Sequence, residues 1–565
     1  MPEAPKPEKK ELSMELRLLV AFIMMGVVLF LTPYFYKNVT PPVKKAAVPA
    51  KTQTTSPTAP AEVPSVETPA EAAAAAPPVA AQQEQLYTID TDLFHISLSN
   101  KGGVVKSWLL KKYTAHSGKP LELVNPAAKT DPPLALYFEG QKPTSDFNQV
   151  LYAAKYDVDG LGISFDFSNG HTIAHKALHF RKNSYLADLE TAVTIDGKPV
   201  AHLIEWRGGF GDLAVANPSG AQQTLRFDVS ENKLAKSPAK AAKNGPVSAA
   251  GNFSFAGIED AYFVAAFLPE HAAPVEITTF SDSTATPLEQ KEQPFAGAGV
   301  SDGPSNKFSL YVGPKDIDIL RKVNPKLEQI VDFGWLSFLA KPLFLIVNYV
   351  TDHAIHNYGW SIIVVTIVLN FALFPLKFTS MKSMKKMQAL QPQITAINDK
   401  YKNIGLRDPR KAQQNEEVMG LYKKHGVNPM GGCVPMLLQI PFFIAFYKVF
   451  SVSVEMRGAN WLWVTDLSQP ETLPIHLLPI IMIISQFVMQ KMTPATGGDP
   501  NQQKVMQFMP LMFGFMFYNF SSGLVLYYLT SNLVGIAQQV FFNRTSIAAV
   551  AAQSVQPPKK KNGRK

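Results

Sequence analysis

From residue 335 to residue 542 the chain is a succession of apolar stretches of about helix length, dominated by Leu, Ile, Val, Phe and Met. A helix rises ~1.5 Å per residue, so ~20 apolar residues match the ~30 Å hydrocarbon core of a bilayer. The stretches 358–376, 434–453, 473–492, 505–520 and 524–541 have that length or fall slightly short of it, and each reads as a membrane span. The stretch 434–453 carries a lysine, Lys448. A charge at the centre of a membrane helix costs ~2.5–3.5 kcal/mol, so such a residue is rare unless it faces water or acts.

Residues 85–315 have the opposite character, mixing alternating apolar residues with Gly, Asn and Pro, which is why the mean hydropathy of the whole chain is close to zero. The formal net charge of +9 raises the question of nucleic acid, but the basic residues cluster beside apolar spans and in the tail 559–565. Positive flanks of membrane helices account for them with fewer assumptions. Cys433 is the single cysteine, so no intramolecular disulfide forms and an exported domain has to rely on its own core.

Near the start, 16–36 is an apolar run preceded by Lys9, Lys10 and Arg17, without the small-x-small pattern of a cleavable signal. It reads as an uncleaved signal-anchor with a cytoplasmic N-terminus (1–40), followed by a tether, 41–84, rich in Pro, Ala and Thr. The stretch 335–355 is apolar enough to span yet contains Lys341, Pro342, Asn348, Asp352 and His353. If it crossed, the loop 377–432, with eleven Lys or Arg against four acids, would lie outside. The positive-inside bias opposes that. Laying 335–355 in the interface as an amphipathic helix, within a connecting segment 316–357, leaves six spans, both termini inside and every Lys-rich loop in the cytoplasm.

In 85–315, runs such as 91–98, 162–167 and 308–312 alternate apolar and polar residues, and turn signals at Asn100-Lys-Gly-Gly103 and Asp196-Gly197 punctuate them. An antiparallel β-sandwich is expected. His171, His175 and His179 recur every four residues, but on a strand this spacing spreads them too far to share one ion. Glu205 and Asp212, in Glu-Trp-Arg-Gly-Gly-Phe-Gly-Asp, have the composition of a catalytic carboxylate pair, although two acids in a Gly-rich turn are more often turn chemistry.

The loop 377–432 reads as a helical hairpin: one helix runs out of the membrane from Thr379, and a second starts at Asp408-Pro409 and ends at His425-Gly426. Its Met381, Met384, Met387, Ala389, Leu390, Ile394 and Ile397 recur at helical spacing, as a seam between the helices or as an adaptable docking surface. Polar residues accumulate inside the spans: Thr366 and Asn370 on one helical face, then Gln439, Lys448, Gln486, Asn519, Tyr527, Tyr528, Asn532 and Gln538. Each is explained singly by bonding between helices, and together they point to a shared wet cavity.

Phe374-Pro-Leu376 with Thr379-Ser-Met381 and Leu390-Gln-Pro392, Val427-Asn-Pro-Met-Gly-Gly-Cys-Val-Pro435 with Gln439-Ile-Pro441, Asp499-Pro-Asn-Gln-Gln503, Phe508-Met-Pro510 and Ser522-Gly-Leu-Val-Leu-Tyr-Tyr528 with Ser531-Asn-Leu533 follow one another in order. In these motifs the chain resembles the YidC membrane-protein insertases of Gram-negative bacteria, and 85–315 resembles that family's periplasmic domain more weakly. The resemblance implies a polytopic α-helical membrane protein with a five-span core (358–542), a periplasmic all-β supersandwich, and a hydrophilic groove closed toward the periplasm. The groove set is then Thr366, Asn370, Gln439, Ile440, Phe443, Lys448, Met516, Tyr527 and Tyr528. The family typically places an arginine five residues before the proline of Phe374-Pro-Leu376, and Asn370 stands there instead. Lys448 is the expected replacement, with Asn370 and Thr366 as neutral partners; the alternative is that it reaches the periplasmic interface. Lys377 is expected to snorkel at a helix end.

The implied activity is insertion and folding of inner-membrane proteins, alone or with the Sec translocon and its accessory subunits. The partners are nascent membrane proteins, the lipid bilayer, and a ribosome or targeting factor at Lys382, Lys385, Lys386, Arg407, Arg410 and Lys411 of the hairpin, ahead of a basic cytoplasmic tail, 543–565. No bond is made or broken, so no catalytic residue, metal or cofactor is expected, and the sequence contains no phosphate-binding glycine loop. A secondary transporter or channel would connect both faces, and a membrane-anchored glycan-binding protein would leave the polar residues of the later spans unexplained.

Overall fold

The structure is a computed structural model that describes residues 77–115, 118–140, 143–215, 217–270, 274–287, 291–401, 410–427, 434–493, 511 and 514–554. The expected signal-anchor, Arg407, the Asp408-Pro409 helix start and half of the 505–520 span lie outside the described residues.

The β-strands lie within residues 86–314, and the longer helices follow. Among the described residues three antiparallel sheets are built. A four-stranded sheet begins with Leu86–Asp90, Phe94–Ser99 and Val104–Thr114. A ten-stranded sheet contains Phe253–Glu259, Phe263–Pro269, Ser305–Pro314, Leu186–Ile195, Thr172–Phe180 and Gly162–Ser168 in that spatial order. A five-stranded sheet centres on Val275–Thr284, Gln293–Ser301 and Leu203–Trp206. The period of two is plain in Thr172–Phe180, where Thr172, Ala174, Lys176, Leu178 and Phe180 are buried while His175 and His179 face out. Phe94, Trp108, Phe180 and Trp206 meet in the core, with the two indole rings 5.9 Å apart.

Two polar side chains inside this core are matched atom by atom. Lys176 is 1% exposed, and its Nζ donates to the carbonyls of Gly102 at 2.7 Å and Leu134 at 2.9 Å, tying its strand to the 100–103 turn. That turn needs glycine. Gly102 has φ +79°, and a Cβ there would lie 2.5 Å from the carbonyl oxygen of Asn148. His202, also 1% exposed, faces Val200 O with Nδ1 at 2.9 Å and Thr191 Oγ1 with Nε2 at 2.8 Å, and Asn306 closes the network by donating to Thr191 Oγ1 and His202 O.

After the β-region, which itself contains the short helical turns Pro218–Ala221 and Ala239–Ala242, comes α1 (Ile317–Val323), capped by Asp316, whose carboxylate accepts from the backbone N–H groups of Asp318 and Ile319. Helix α2 (Ser337–Val350) buries Ala340, Leu343, Phe344 and Val347 and leaves Trp335, Phe338, Leu345, Ile346 and Tyr349 exposed at and before it. After a π-helical turn, Thr351–Ile355, His356 takes a left-handed φ of 55° and Asn357 caps α3 (Tyr358–Ala372) by accepting from Trp360 N–H. The chain bends by 117° at this break. Then come α4 (Phe374–Lys400), α5 (Arg410–Lys424), α6 (Val434–Val452), α7 (Leu477–Met492) and α8 (Ser522–Ser554). Among the described residues one helix, Ser522–Thr545 within α8, is long and apolar enough on its own to cross a membrane; the bent α2–α3 pair passes together, and α6 and α7 are shorter apolar helices.

The β-region and the segment after α6 are joined by a buried ion pair. Arg457 donates to Asp212 Oδ2 from Nε at 2.7 Å, lies 2.6 Å from it through Nη2, and donates from Nη1 to Thr114 O at 2.8 Å. The two side chains are 5% and 2% exposed, and the guanidinium sits 5.7 Å from the ring of Phe263.

Two outcomes follow from these burials. Burial pushes His202 down to about 4, so the unfolded chain binds a proton below pH 6.5 that the folded one does not. The stability it contributes is present above pH 6.5 and is lost as pH falls toward 4. Thermal melts of the wild type and His202→Gln should therefore converge over that window, and a constant gap would assign His202 no titrating role. Arg457→Ala or Asp212→Ala alone should destabilise by ~3–5 kcal/mol, because each strands a buried charge, whereas Arg457→Met with Asp212→Leu should lose less than either. Losses in the double variant equal to the sum of the singles would mean that the two side chains act independently.

Candidate functional site

Asn370 sits near the end of α3 and is 3% exposed. Its Nδ2 donates to Thr366 O one turn back at 2.8 Å and to Ser531 Oγ of α8 at 3.1 Å. Lys377 Nζ, from the first turn of α4, donates to Asn370 Oδ1 at 2.6 Å, and Gln538 Nε2 of α8 donates to Asn370 O at 3.2 Å. Thr366, 0% exposed, has an Oγ1 sealed from water without a hydrogen-bond partner. One carboxamide thus joins three helices and holds a lysine ammonium beside a patch of unspent polarity.

Lys377 comes to Asn370 because residues seven apart return to the same helical face, and the path from α3 into α4 is interrupted only at Leu373. Pro375 falls in the first turn of α4, where its missing N–H costs no helical bond. Phe374-Pro-Leu376 therefore resets the helix without turning Lys377 away.

A second cluster continues along α8. Gln439 Nε2 of α6 donates to Tyr527 Oη at 2.6 Å, and Phe446 stacks on the Tyr527 ring with centroids 4.1 Å apart. Phe443 meets Phe517 and Tyr528 edge-on. On α8 the positions 527, 531 and 538 fall within ~40° of one another at 100° per residue, so Tyr527, Ser531 and Gln538 form one polar stripe. Asn532 turns to α7 and donates to Ser485 Oγ at 3.0 Å.

Of the residues read from sequence, the structure brings Thr366 with Asn370, and Gln439 and Phe443 with Tyr527 and Tyr528. Ile440 is half-buried and Met516 exposed. Lys448 is placed elsewhere: its stem packs beside Gly334, ahead of α2, where a Cβ on the glycine would lie 3.4 Å from its Cε. The cation on Asn370 is Lys377, the residue expected to snorkel. The signal in the sequence was the seven-residue spacing across the proline. The hairpin methionines Met381, Met384 and Met387 are buried with Leu390 and Ile394, in keeping with the reading of them as a seam and against the alternative of an exposed docking surface; Ala389 is exposed and Ile397 half-buried. Tyr401 Oη and Lys400 Nζ both reach Glu417 of α5, and Gln414 donates to Asn398. Lys382, Lys386 and Arg410 are exposed and Lys385 is half-buried.

In the β-region Glu205 and Asp212 are not one site. Glu205 lies beside Arg207 at 3.5 Å, while Asp212 belongs to Arg457. His171, His175 and His179 each face a different carboxylate through Nδ1: Asp196, Asp166 and Asp157. Asp159 also approaches His179, so Asp157, Asp159 and His179 have metal-ligand spacing among the described residues, on an exposed hairpin.

The family model described as the 60Kd inner membrane protein matches residues 350–549, and the YidC periplasmic domain model matches 86–346. The membrane protein insertase YidC of Syntrophus aciditrophicus is 33% identical over 565 residues, covering 94% of this chain and 100% of its own. That of Geotalea daltonii is 34% identical over 552 residues, covering 94% and 99%. A crystal structure of an active YidC insertase covers 82% of this chain and 94% of its own at 19% identity, with a TM-score of 0.36, too low for geometry to be read across.

Proposed function

Because the chain belongs to the YidC membrane-protein insertase family, we propose that it takes hydrophobic segments of nascent inner-membrane proteins and releases them sideways into lipid through a groove centred on Asn370. The observation that carries this reading is the Lys377–Asn370–Ser531–Gln538 cluster, a charge held by buried polar groups where three helices meet. No covalent step is involved. The physical task is to shorten the apolar path that the polar flank of a substrate has to cross, after which burial of its greasy helix and the membrane potential complete the transfer. Lys377 supplies the attraction for acidic flanks, and the Phe443, Phe517 and Tyr528 rings supply an apolar rail beside it.

The proposal extends to topology. With α3 along the membrane normal, the 117° bend lays α2 close to the membrane plane, its exposed Trp335, Phe338 and Tyr349 suited to an interface. The β-region is then periplasmic and its sheets form a supersandwich, six spans leave both termini cytoplasmic, and the exposed Lys382, Lys386 and Arg410 of the hairpin face ribosomes or targeting factors. Cooperation with the Sec translocon belongs to the same reading.

In vesicles containing the purified protein, Lys377→Ala should slow insertion of a substrate with an acidic translocated segment by about tenfold, ~1.4 kcal/mol, while a neutral counterpart is little changed. Lys377→Arg should retain the rate, and so should Lys448→Ala. Equal slowing of the acidic and neutral substrates would remove the charge from the mechanism. Single cysteines at Thr379 and Ser305 should label from opposite sides of the membrane, and labelling of both from one side would overturn the topology.

A further inference from the structure

The connection between α6 and α7, residues 453–476, is built unlike a loop in water. Its exposed residues are the apolar Leu462, Leu473 and Ile475, at 66%, 38% and 67%, together with Gly458, Asn460, Thr465, Thr472 and Pro474, and none of them is charged. The charged side chains of the connection are turned onto the protein. Arg457 holds Asp212, Glu455 accepts from Ser453 Oγ at 2.7 Å, and Asp466 accepts from Ser468 N–H at 2.8 Å. Glu471 accepts from Trp463 Nε1 at 2.7 Å and from the backbone N–H of Leu478 at 2.8 Å. The α4–α5 hairpin has the opposite character, with Lys382, Lys386 and Arg410 exposed.

At the tip of the connection two costs are left uncompensated within the protein. Trp461 and Val464 exchange both backbone hydrogen bonds at 2.8 Å, which makes Leu462 and Trp463 the centre of a two-residue turn, and Leu462 takes a φ of 49° there. Such a position suits Gly, Asn or Asp, and a leucine adopts it under strain. Yet the side chain that this strained backbone holds out is the exposed Leu462. The turn sits level with the start of α3: Asn357, the α3 cap, donates from Nδ2 to Asn460 O at 3.1 Å, and the rings of Trp360 and Trp461 meet edge-on with centroids 5.7 Å apart. Helix α7 has 16 residues. That is ~24 Å at ~1.5 Å per residue, short of the ~30 Å of a hydrocarbon core.

Resting on the six-span topology, we propose that this connection is seated in the adjoining lipid leaflet, its backbone at the level of the headgroup and acyl boundary and the side chains of Leu462, Leu473 and Ile475 among the acyl chains. At that depth water and ester groups still meet backbone polar atoms, while apolar side chains are covered and a bare charge is penalised, which is the pattern of this surface. Transfer of Leu462 out of water offsets the strain of its turn. Continuity carries the same assignment, because Leu477, the first residue of α7, is 41% exposed and follows directly on Ile475 and His476. Seated there, the connection supplies the apolar length that α7 lacks and fixes the depth of α6 and α7 against α3.

The test uses the full chain, carrying Cys433→Ser, in phosphatidylcholine vesicles, with one nitroxide at a time attached through Leu462→Cys, Ile475→Cys, Val368→Cys or Val229→Cys. Val368, 62% exposed on α3, is the reference for lipid, and Val229, 48% exposed in the β-region, is the reference for water. Collisions of each nitroxide with molecular oxygen, which concentrates among acyl chains, are compared with collisions with a neutral nickel chelate, which stays in water. The oxygen-to-chelate ratio at Leu462 and at Ile475 should lie about tenfold above that at Val229 and within about threefold of that at Val368. A ratio at either position equal to that at Val229 overturns the proposal. Screening from both probes would mean that protein covers the turn, a second copy or another chain, and overturns the assignment to lipid. A water-like ratio at Val368 overturns the proposal together with the topology on which it rests. Failure at Leu462 and Ile475 with a lipid-like ratio at Val368 leaves the six spans standing and removes only this seat in the leaflet.

Discussion

A buried carboxamide is costly until its polar atoms are met, and that of Asn370 is met by a backbone carbonyl, a hydroxyl and an ammonium, while the amide of Gln538 bonds the main-chain carbonyl of the same residue. Because these partners come from α3, α4 and α8, meeting them fixes where three helices cross. The packing of α8 against α3 and the aromatic contacts to α6 then follow from the same face of α8, on which Tyr527, Ser531 and Gln538 lie. Replacing Asn370 by an apolar residue would leave the Lys377 ammonium without the acceptor that holds it.

The same rule operates in the β-region with a different outcome. Lys176 and His202 are as deeply buried as Asn370, yet their partners come from turns and neighbouring strands, so they stitch a sheet together and present nothing outward. Thr366 Oγ1, in contrast, is left with no partner. Polarity fully met inside the protein is structural, whereas the Thr366 hydroxyl is buried at a cost that no bond to another protein group offsets.

The apolar stretches were legible because bilayer thickness imposes a length, and the β-region because alternation of burial imposes a period of two. Even so, the 358–376 stretch is divided at Leu373, and 473–492 begins as helix only at Leu477. Less was legible in the site. Asn370, Thr366, Gln439, Tyr527 and Tyr528 stood out as polar groups in apolar runs, but Lys448 stood out for the same reason and lies against Gly334. Hydropathy records how unusual a charge is, not which way its side chain points. The Lys377 pairing was hidden by Pro375, which reads as an end although the helical path continues past it. Asp212 and Arg457 are 245 residues apart, and no local pattern announces a contact at that separation.

The clamp between those two residues concentrates its bonds on a single guanidinium. Nε and Nη2 hold Asp212 while Nη1 holds Thr114 O, so a displacement of Arg457 strains all of them together. Such a joint yields at a threshold and does not slacken gradually. A pull on the β-region therefore reaches the segment after α6 through this fork until the fork lets go, and beyond that point the two parts are uncoupled at this contact. The chain carries, at one arginine, a fuse rather than a spring.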